Sequence, residues 1–265
     1  MPPLMRKTLR EQRRSVLSWG IGLFVFLLCY TAFYPAIRDD PVFYDQVATA
    51  KYPGLLRDLM GLHGSLAGPG YLQVMLYQLL GFLLFGMFAA SLGAQAIAEP
   101  EHEGTLELTV TLPISRRRLL LERFGALAVS VLQVAVATLV LVLVLNTTLG
   151  IGADAGNVVA AHTGLFLVTL FFGTLTLAVG AATGSRPVAL YVTTAFAIGG
   201  YAVETLGAGV ASIAWLRWLS PFHYYLGPLP LFEGWPLGGY LVLLAATAAV
   251  LLAAVPAFDR RDVGV

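Results

Sequence analysis

The residues that could carry out phosphate chemistry are few in this chain. A phosphate-binding loop needs glycines followed by a lysine and a serine or threonine, because backbone amides cradle the phosphates and the ammonium reaches the terminal ones. The two lysines, Lys7 and Lys51, stand outside any such pattern. We therefore expect no ATP hydrolysis by this chain alone through that route, and no cofactor of its own.

Metal-ligating residues are also scarce. His102-Glu103 looks like half of a zinc-protease motif, but that motif needs a second histidine one helical turn later, and position 106 is Leu106. The four histidines are scattered, whereas a metal path would need clustered histidine, cysteine or methionine. We therefore expect no metal site. The single cysteine, Cys29, can form no intrachain disulfide.

Ionisable side chains are absent from the centres of the long apolar runs. This argues against a proton- or sodium-coupled relay, and also against an intramembrane enzyme, which needs a nucleophile with a base or paired acids. Glu204 lies near the end of one apolar run. Its carboxylate either reaches the outer water or lines a substrate gate.

The most informative polar segment is 99–116, where four carboxylates lie within nine residues and three arginines follow. Thr105 can cap a short helix after the flexible Gly104, and leucines then recur at one-turn spacing until Pro113. A short helix with exposed leucines favours docking to a partner protein, while a solvated acidic loop is the alternative. The residues assigned to docking are Glu99, Glu103, Gly104, Thr105, Leu106, Glu107, Leu108, Pro113, Ser115 and Arg116.

The elements that position these residues are predicted to be membrane helices. Hydrophobic residues make up 58% of the 265 positions and charged residues 12%, whereas soluble domains carry about 25% charged residues. Apolar runs of about 20 residues can cross a bilayer. We predict an all-α, polytopic membrane protein, a single domain over 1–265, with six transmembrane helices at about 16–37, 72–98, 119–146, 159–183, 187–208 and 237–257.

The orientation is predicted from lysine and arginine in the connections. Twelve of the 16 basic residues lie on the side of the N-terminus, and the other four are Arg38, Lys51, Arg57 and Arg217. Since cytoplasmic loops carry the excess of basic residues, both termini are predicted to be cytoplasmic, in the plasma membrane. The segment 99–116 would then also face the cytoplasm.

The connections carry further local predictions. Residues 1–15 are basic and partly amphipathic, which indicates a segment at the inner interface whose arginines reach lipid phosphates. Asp40-Pro41 predicts a helix start, and a second short helix is expected near 53–62. Residues 184–187 predict a tight turn. The aromatic cluster in 209–236 is typical of a membrane interface.

Two stretches together resemble a known family. Glu103-Gly104-Thr105-Leu106-Glu107-Leu108, followed by Leu112-Pro113-Ile114-Ser115-Arg116, resembles the coupling segment of type-2 ATP-binding-cassette (ABC) exporter permeases. Gly70-Tyr71-Leu72, Ser220-Pro221-Phe222 and the tail Phe258-Asp259-Arg260-Arg261-Asp262 agree with that family's pattern. Pro100, just before the motif, is a departure that is expected to shorten the extension of the second helix.

The resemblance implies a membrane permease subunit that forms the translocation path of an exporter. Two copies, identical or related, would pair with separate ATPase subunits that bind ATP and Mg²⁺, and a short coupling helix between helices 2 and 3 would dock into each ATPase. Ser220, Pro221 and Phe222 would lie in short re-entrant helices, and with Glu204 they are the candidate outer gate. Lipids are expected partners, and nucleic acid is not.

Other functions stay open at this point. A secondary transporter or channel without an ATPase would need a midplane ion site or a broken pair of helices, and the sequence shows neither. A permease-like immunity or sensor subunit is a further alternative. An apolar, charge-poor interior is compatible with a lipophilic drug, a peptide or a lipid as substrate.

Overall fold

The computed structural model describes residues 3–51, 57, 60, 65–102, 115–207, 212 and 214–261, and the described residues form helices and turns without a strand. Among them, six helical stretches are long and apolar enough to cross a membrane. The predicted all-α fold with six spans is thereby confirmed. The spans are Leu4–Asp39, Pro69–Ala96, Arg116–Thr148, Ala155–Thr183, Arg186–Gly207 and Leu237–Asp259.

The first span begins much earlier than predicted. Helix Pro3–Thr31 is continuous, and a short helix, Tyr34–Asp39, extends it. Residues 3–15 are therefore the first turns of this helix, and their place at the inner membrane interface stays a prediction. They pack on the third span, where the Ser130 hydroxyl donates to the buried Gln12 side chain at 3.0 Å. Polar contacts of this kind hold apolar helices together where water is absent.

The fourth span, Ala155–Thr183, is the centre of the bundle. It packs against the second, third, fifth and sixth spans and is the most buried of the six. A helix that is apolar on all sides suits such a position. Small residues allow the close approach, since a Cβ on Gly173 would lie only 3.0 Å from the Cβ of Ala89 in the second span. The first span is the least buried and lies at the edge, against the third.

The second span is not a uniform α-helix. A short α-helical turn, Pro69–Leu72, leads into a π-helical segment, Gln73–Gln78, and a regular helix then runs over Leu80–Ala96. A π-helical turn leaves backbone groups without their usual partners. The Tyr225 hydroxyl donates to the Tyr77 carbonyl at 2.6 Å and satisfies one of them. Such a side-chain partner is required because no water can reach the backbone inside a membrane.

Short helices connect the spans. Asp40 caps helix Pro41–Lys51 by accepting from the Phe43 amide at 3.2 Å, as predicted. Of the helix expected near 53–62, only Arg57 and Met60 belong to the described residues. Between the fifth and sixth spans lie a 3₁₀ helix and two short α-helices, namely Ala214–Leu219, Pro221–Leu226 and Pro230–Glu233. The exposed side chains of Trp215, Trp218 and Trp235 in this region fit the predicted aromatic interface.

Both ends of the chain meet at one end of the bundle. The Met5 amide donates to Glu122, near the start of the third span, at 3.1 Å. Arg116, at the start of the same span, donates to the Phe258 carbonyl at the end of the sixth at 3.1 Å. We call this end the terminal side, and the end that holds residues 214–233 the opposite side.

Candidate functional site

The predicted docking segment is described at its two ends only. Helix Ala98–His102 precedes it, and Ser115 and Arg116 open the third span. Its central residues, 103–114, lie outside the described residues. They include Glu103, Gly104, Thr105, Leu106, Glu107, Leu108 and Pro113, so their helical conformation and docking role stay predictions.

The chain bends where the second span leads into this segment. The regular helix stops at Ala96, Ile97 has non-helical backbone angles (φ −132°, ψ −51°), and a new helix starts at Ala98. Pro100 explains the break, because its ring clashes with the carbonyl four residues earlier, that of Ala96. The expected shortening is confirmed. Ile97 and Ala98 are fully buried, so the bend is packed against the bundle.

Glu101 links the start of the segment to the C-terminal tail. Its carboxylate forms an ion pair with Arg261, and both side chains are less than one-fifth exposed. The Arg261 guanidinium also donates to the Ala181 carbonyl, in the last turn of the fourth span, at 2.9 Å. Glu99 makes a longer ion pair, 3.8 Å, with Arg186 at the start of the fifth span. Three spans and the tail therefore meet beside helix Ala98–His102.

Arg116 links the far end of the segment to the same tail. Its guanidinium donates to the carbonyls of Phe258 at 3.1 Å, Asp259 at 3.4 Å and Arg261. It also lies 5.8 Å from the centre of the Phe258 ring. A cation at the end of a helix satisfies its last carbonyls and its dipole. Ser115 caps the third span by accepting from the Arg118 amide.

The predicted tight turn completes this region. Gly184 adopts a left-handed conformation (φ +68°) and ends the fourth span. A Cβ at this position would overlap the Arg261 guanidinium and approach the Glu101 carboxylate to 2.7 Å. Burial lowers the pKa of Arg261, but an arginine stays charged near neutral pH. We call Glu101, Arg116, Phe258 and Arg261 the terminal clamp.

Glu204 lies on the opposite side and does not reach water. Its side chain is 5% exposed and accepts two hydrogen bonds from Arg217, at 2.6 and 3.2 Å. The Nδ1 atom of His223 lies 3.2 Å from the same carboxylate. This pairing explains how the carboxylate can be buried. The hydrogen bonds that Arg217 donates to Glu204 raise the pKa of the Arg217 guanidinium.

Ser220, Pro221 and Phe222 lie beside this carboxylate cluster. Ser220 caps helix Pro221–Leu226 by accepting from the Phe222 amide at 3.2 Å, and its hydroxyl donates to the Gly200 carbonyl at 2.9 Å. Phe222 is fully buried, and its ring centre lies 4.4 Å from that of Phe82 in the second span. The structure thus brings all four residues of the predicted outer gate to one region.

Several residues of these two regions were not predicted. The pairing of Glu101 with Arg261 was not predicted, and Arg217 entered only as a basic residue in a charge count. The Glu204 carboxylate gave a partial signal, since a buried carboxylate requires a cation. The described residues contain no group of three or more side chains suited to holding a metal ion.

A family comparison covers the same helical bundle. A model described as "ABC-2 family transporter protein" matches residues 3–263 of this chain. No curated protein matches the chain significantly. Membrane subunits of this family are not catalytic by themselves. Because the match includes all six spans, the chain belongs to the ABC-2 transporter family and is a multi-pass membrane subunit of a transporter.

Proposed function

We propose that this chain is the permease subunit of an ATP-driven exporter. It forms the translocation path with a second permease copy, identical or related. A separate ABC ATPase, which binds ATP and Mg²⁺, docks on residues 99–116. The family supports the permease role, and the missing phosphate-binding loop means that the energy for active transport must come from another subunit.

One observation carries the proposal. The two described ends of the docking segment are held at the terminal side, through Glu101 and Arg116, next to both ends of the chain. The same side carries the excess of arginine, which favours a cytoplasmic location. The described ends of the segment 99–116 therefore lie at the face where a cytoplasmic ATPase would bind, which supports the proposal.

The opposite side supports an outer gate. Glu204, in the fifth span, forms an ion pair with Arg217 of the 3₁₀ helix Ala214–Leu219 and lies 3.2 Å from His223 of helix Pro221–Leu226. Phe222 of the latter helix packs on Phe82 in the second span. We propose that these contacts close the path toward the outside until the ATPases close on ATP. Two packed arrangements separated by a few kcal/mol would suffice for such a gate.

Orientation is tested by labelling. In a Cys29→Ala background, one variant carries Thr111→Cys and a second carries Thr148→Cys. In intact cells we expect a membrane-impermeant maleimide to label Thr148→Cys alone, with Thr111→Cys labelled only after the cells are opened. Labelling of Thr111→Cys from outside would overturn the topology and the function with it.

Docking is tested by co-purification with the ABC ATPase encoded in the neighbouring reading frame. Gly104→Pro or Leu106→Asp should abolish association while membrane insertion stays intact. Leu219→Asp is a matched control, because Leu219 is 68% exposed and lies on the opposite side. Unchanged binding in both docking variants would contradict the proposal, and the absence of a neighbouring ATPase would favour a secondary transporter.

A further inference from the structure

We propose that the C-terminal tail, residues 258–261, positions the coupling segment by holding both of its ends. This inference rests on the proposed function, since it concerns how the same docking segment is presented to the ATPase. Glu101, Arg116 and Arg261 are its positioning residues. The tail is thus part of the coupling machinery as well as the end of the sixth span.

The first end of the segment is held by paired charges. Glu101 lies in the short helix after the bend at Ile97 and forms its ion pair with Arg261. Arg261 is fixed in turn by its hydrogen bond to the Ala181 carbonyl. Charge-assisted hydrogen bonds are roughly twice as strong as neutral ones, and both partners of this pair are mostly buried. The left-handed Gly184 leaves the space that the pair occupies.

The second end is held by the backbone of the tail. Arg116 reaches three carbonyls between Phe258 and Arg261, and Phe258 is 1% exposed. The tail therefore binds Glu101, at the first end, with the Arg261 side chain, and it binds Arg116, at the second end, with backbone carbonyls. Since Glu101 and Arg116 lie at the two ends of the segment, fixing both restricts where the residues between them can lie.

The arrangement has a mechanical consequence. The tail belongs to the sixth span, and Arg261 also contacts the fourth span, which is the centre of the bundle. A displacement of the coupling segment would reach these two spans directly through the terminal clamp. Helix Ala98–His102 also contacts the fourth span by itself, so the clamp adds the sixth span to the elements that the segment reaches directly.

Hydrogen–deuterium exchange of the full chain in lipid nanodiscs tests the inference without the ATPase. In Arg261→Gln and in Glu101→Gln, we expect the amides of 97–102 to exchange about tenfold faster, because local opening is no longer opposed by the ion pair. Arg260→Gln is the matched control, since Arg260 is a neighbouring but exposed arginine. Unchanged exchange in both clamp variants would overturn the inference.

A charge swap separates positioning from a general loss of folding. Glu101→Arg and Arg261→Glu should each speed exchange at 97–102, and the double variant should recover at least half of the protection. A rise in exchange throughout the six spans of a single variant would indicate a general loss of folding. In that case the protection of the double variant decides whether the ion pair is the cause. A double variant as poorly protected as the single variants would overturn the inference.

Binding of the separately purified neighbouring ATPase to these nanodiscs gives the functional measurement. Loss of pre-organisation should weaken binding about tenfold in Arg261→Gln and Arg116→Gln, with Arg260→Gln unchanged. If the unaltered chain does not bind the ATPase, the proposed function fails, whatever the exchange shows. If it binds and both clamp variants bind equally well, only the positioning role fails.

Discussion

The terminal clamp and the Glu204 cluster (Glu204, Arg217 and His223) each contain a carboxylate paired with a cationic side chain, but they connect different parts of the chain. Arg116 and Phe258, in the clamp, are 142 positions apart in sequence. Glu204 pairs with Arg217 only 13 positions later and with His223 only 19 later. The clamp joins separate spans at the terminal side, whereas the Glu204 cluster folds a connection back on its own span.

The packing behind the two regions differs as well. On the opposite side, Phe222 places a buried ring against Phe82, Phe172 and Tyr201. On the terminal side, Phe258 is also buried, but the tail is joined to the other spans by hydrogen bonds and an ion pair between mostly buried groups. Burial should therefore dominate the stability of the opposite side, and polar contacts should dominate the position of the tail.

The largest effect should come from the ring at the centre of the opposite side. Phe222→Ala should destabilise the protein by about 3–4 kcal/mol, because a fully buried aromatic side chain leaves a cavity. Unfolding in mixed detergent micelles, followed by circular dichroism, measures this. Phe232→Ala is the control, because Phe232 is 50% exposed. Equal losses of stability in Phe222→Ala and Phe232→Ala would show that burial of the Phe222 ring does not dominate the stability of the opposite side.

Arg217→Gln should cost about 2–3 kcal/mol, because it leaves the buried Glu204 carboxylate without its main cation. The same unfolding assay applies, with Glu204→Gln and the double variant completing a cycle. The double variant should be less destabilised than the sum of the two single variants. Strict additivity would show that the pair does not stabilise the opposite side.

Gly184→Ala should cost about 1–2 kcal/mol, since a non-glycine residue would be forced into the left-handed region. Its Cβ would also displace Arg261 from Glu101. Gly20→Ala is the control, because a Cβ there meets no atom within 4 Å. The control should be neutral or slightly stabilised in the same assay. A Gly184→Ala variant as stable as the control would argue against tight packing around Arg261.

The smallest effect is expected for Glu99→Gln, at most about 0.5 kcal/mol, because the pair with Arg186 is long and partly exposed. Unfolding midpoints at low and high salt should be nearly the same as those of the unaltered chain. A loss comparable to that of Gly184→Ala would show that the edge of the terminal side is as tightly held as the clamp.

The sequence predicted the spans well because their signal is local. A run of about 20 apolar residues is long enough to cross a bilayer wherever it lies in the chain. The first helix starts earlier than the predicted span, because basic residues 6–14 were assigned to an interfacial segment. In the structure these residues continue helix Pro3–Thr31 and pack on the third span.

The polar pairings could not be predicted in the same way. Nothing in the local pattern around Glu101 indicates a partner at Arg261, because only the packed bundle brings them together. For Glu204, position near a span end suggested a solvated carboxylate. The return of residues 214–223 over the fifth span buries it instead.

The π-helical segment of the second span has a consequence for sequence variation. A π-helical turn holds one residue more than an α-helical turn, and each residue of an α-helix turns the chain by about 100°. The wider turn absorbs this extra residue, so deleting one residue within Gln73–Gln78 would leave a regular α-helix and would keep Pro69–Leu72 in the same orientation. The Tyr71 hydroxyl would still donate to the Tyr30 carbonyl. The second span can therefore lose a residue at this point, whereas a deletion within Leu80–Ala96 would rotate the preceding part of the span by about 100°.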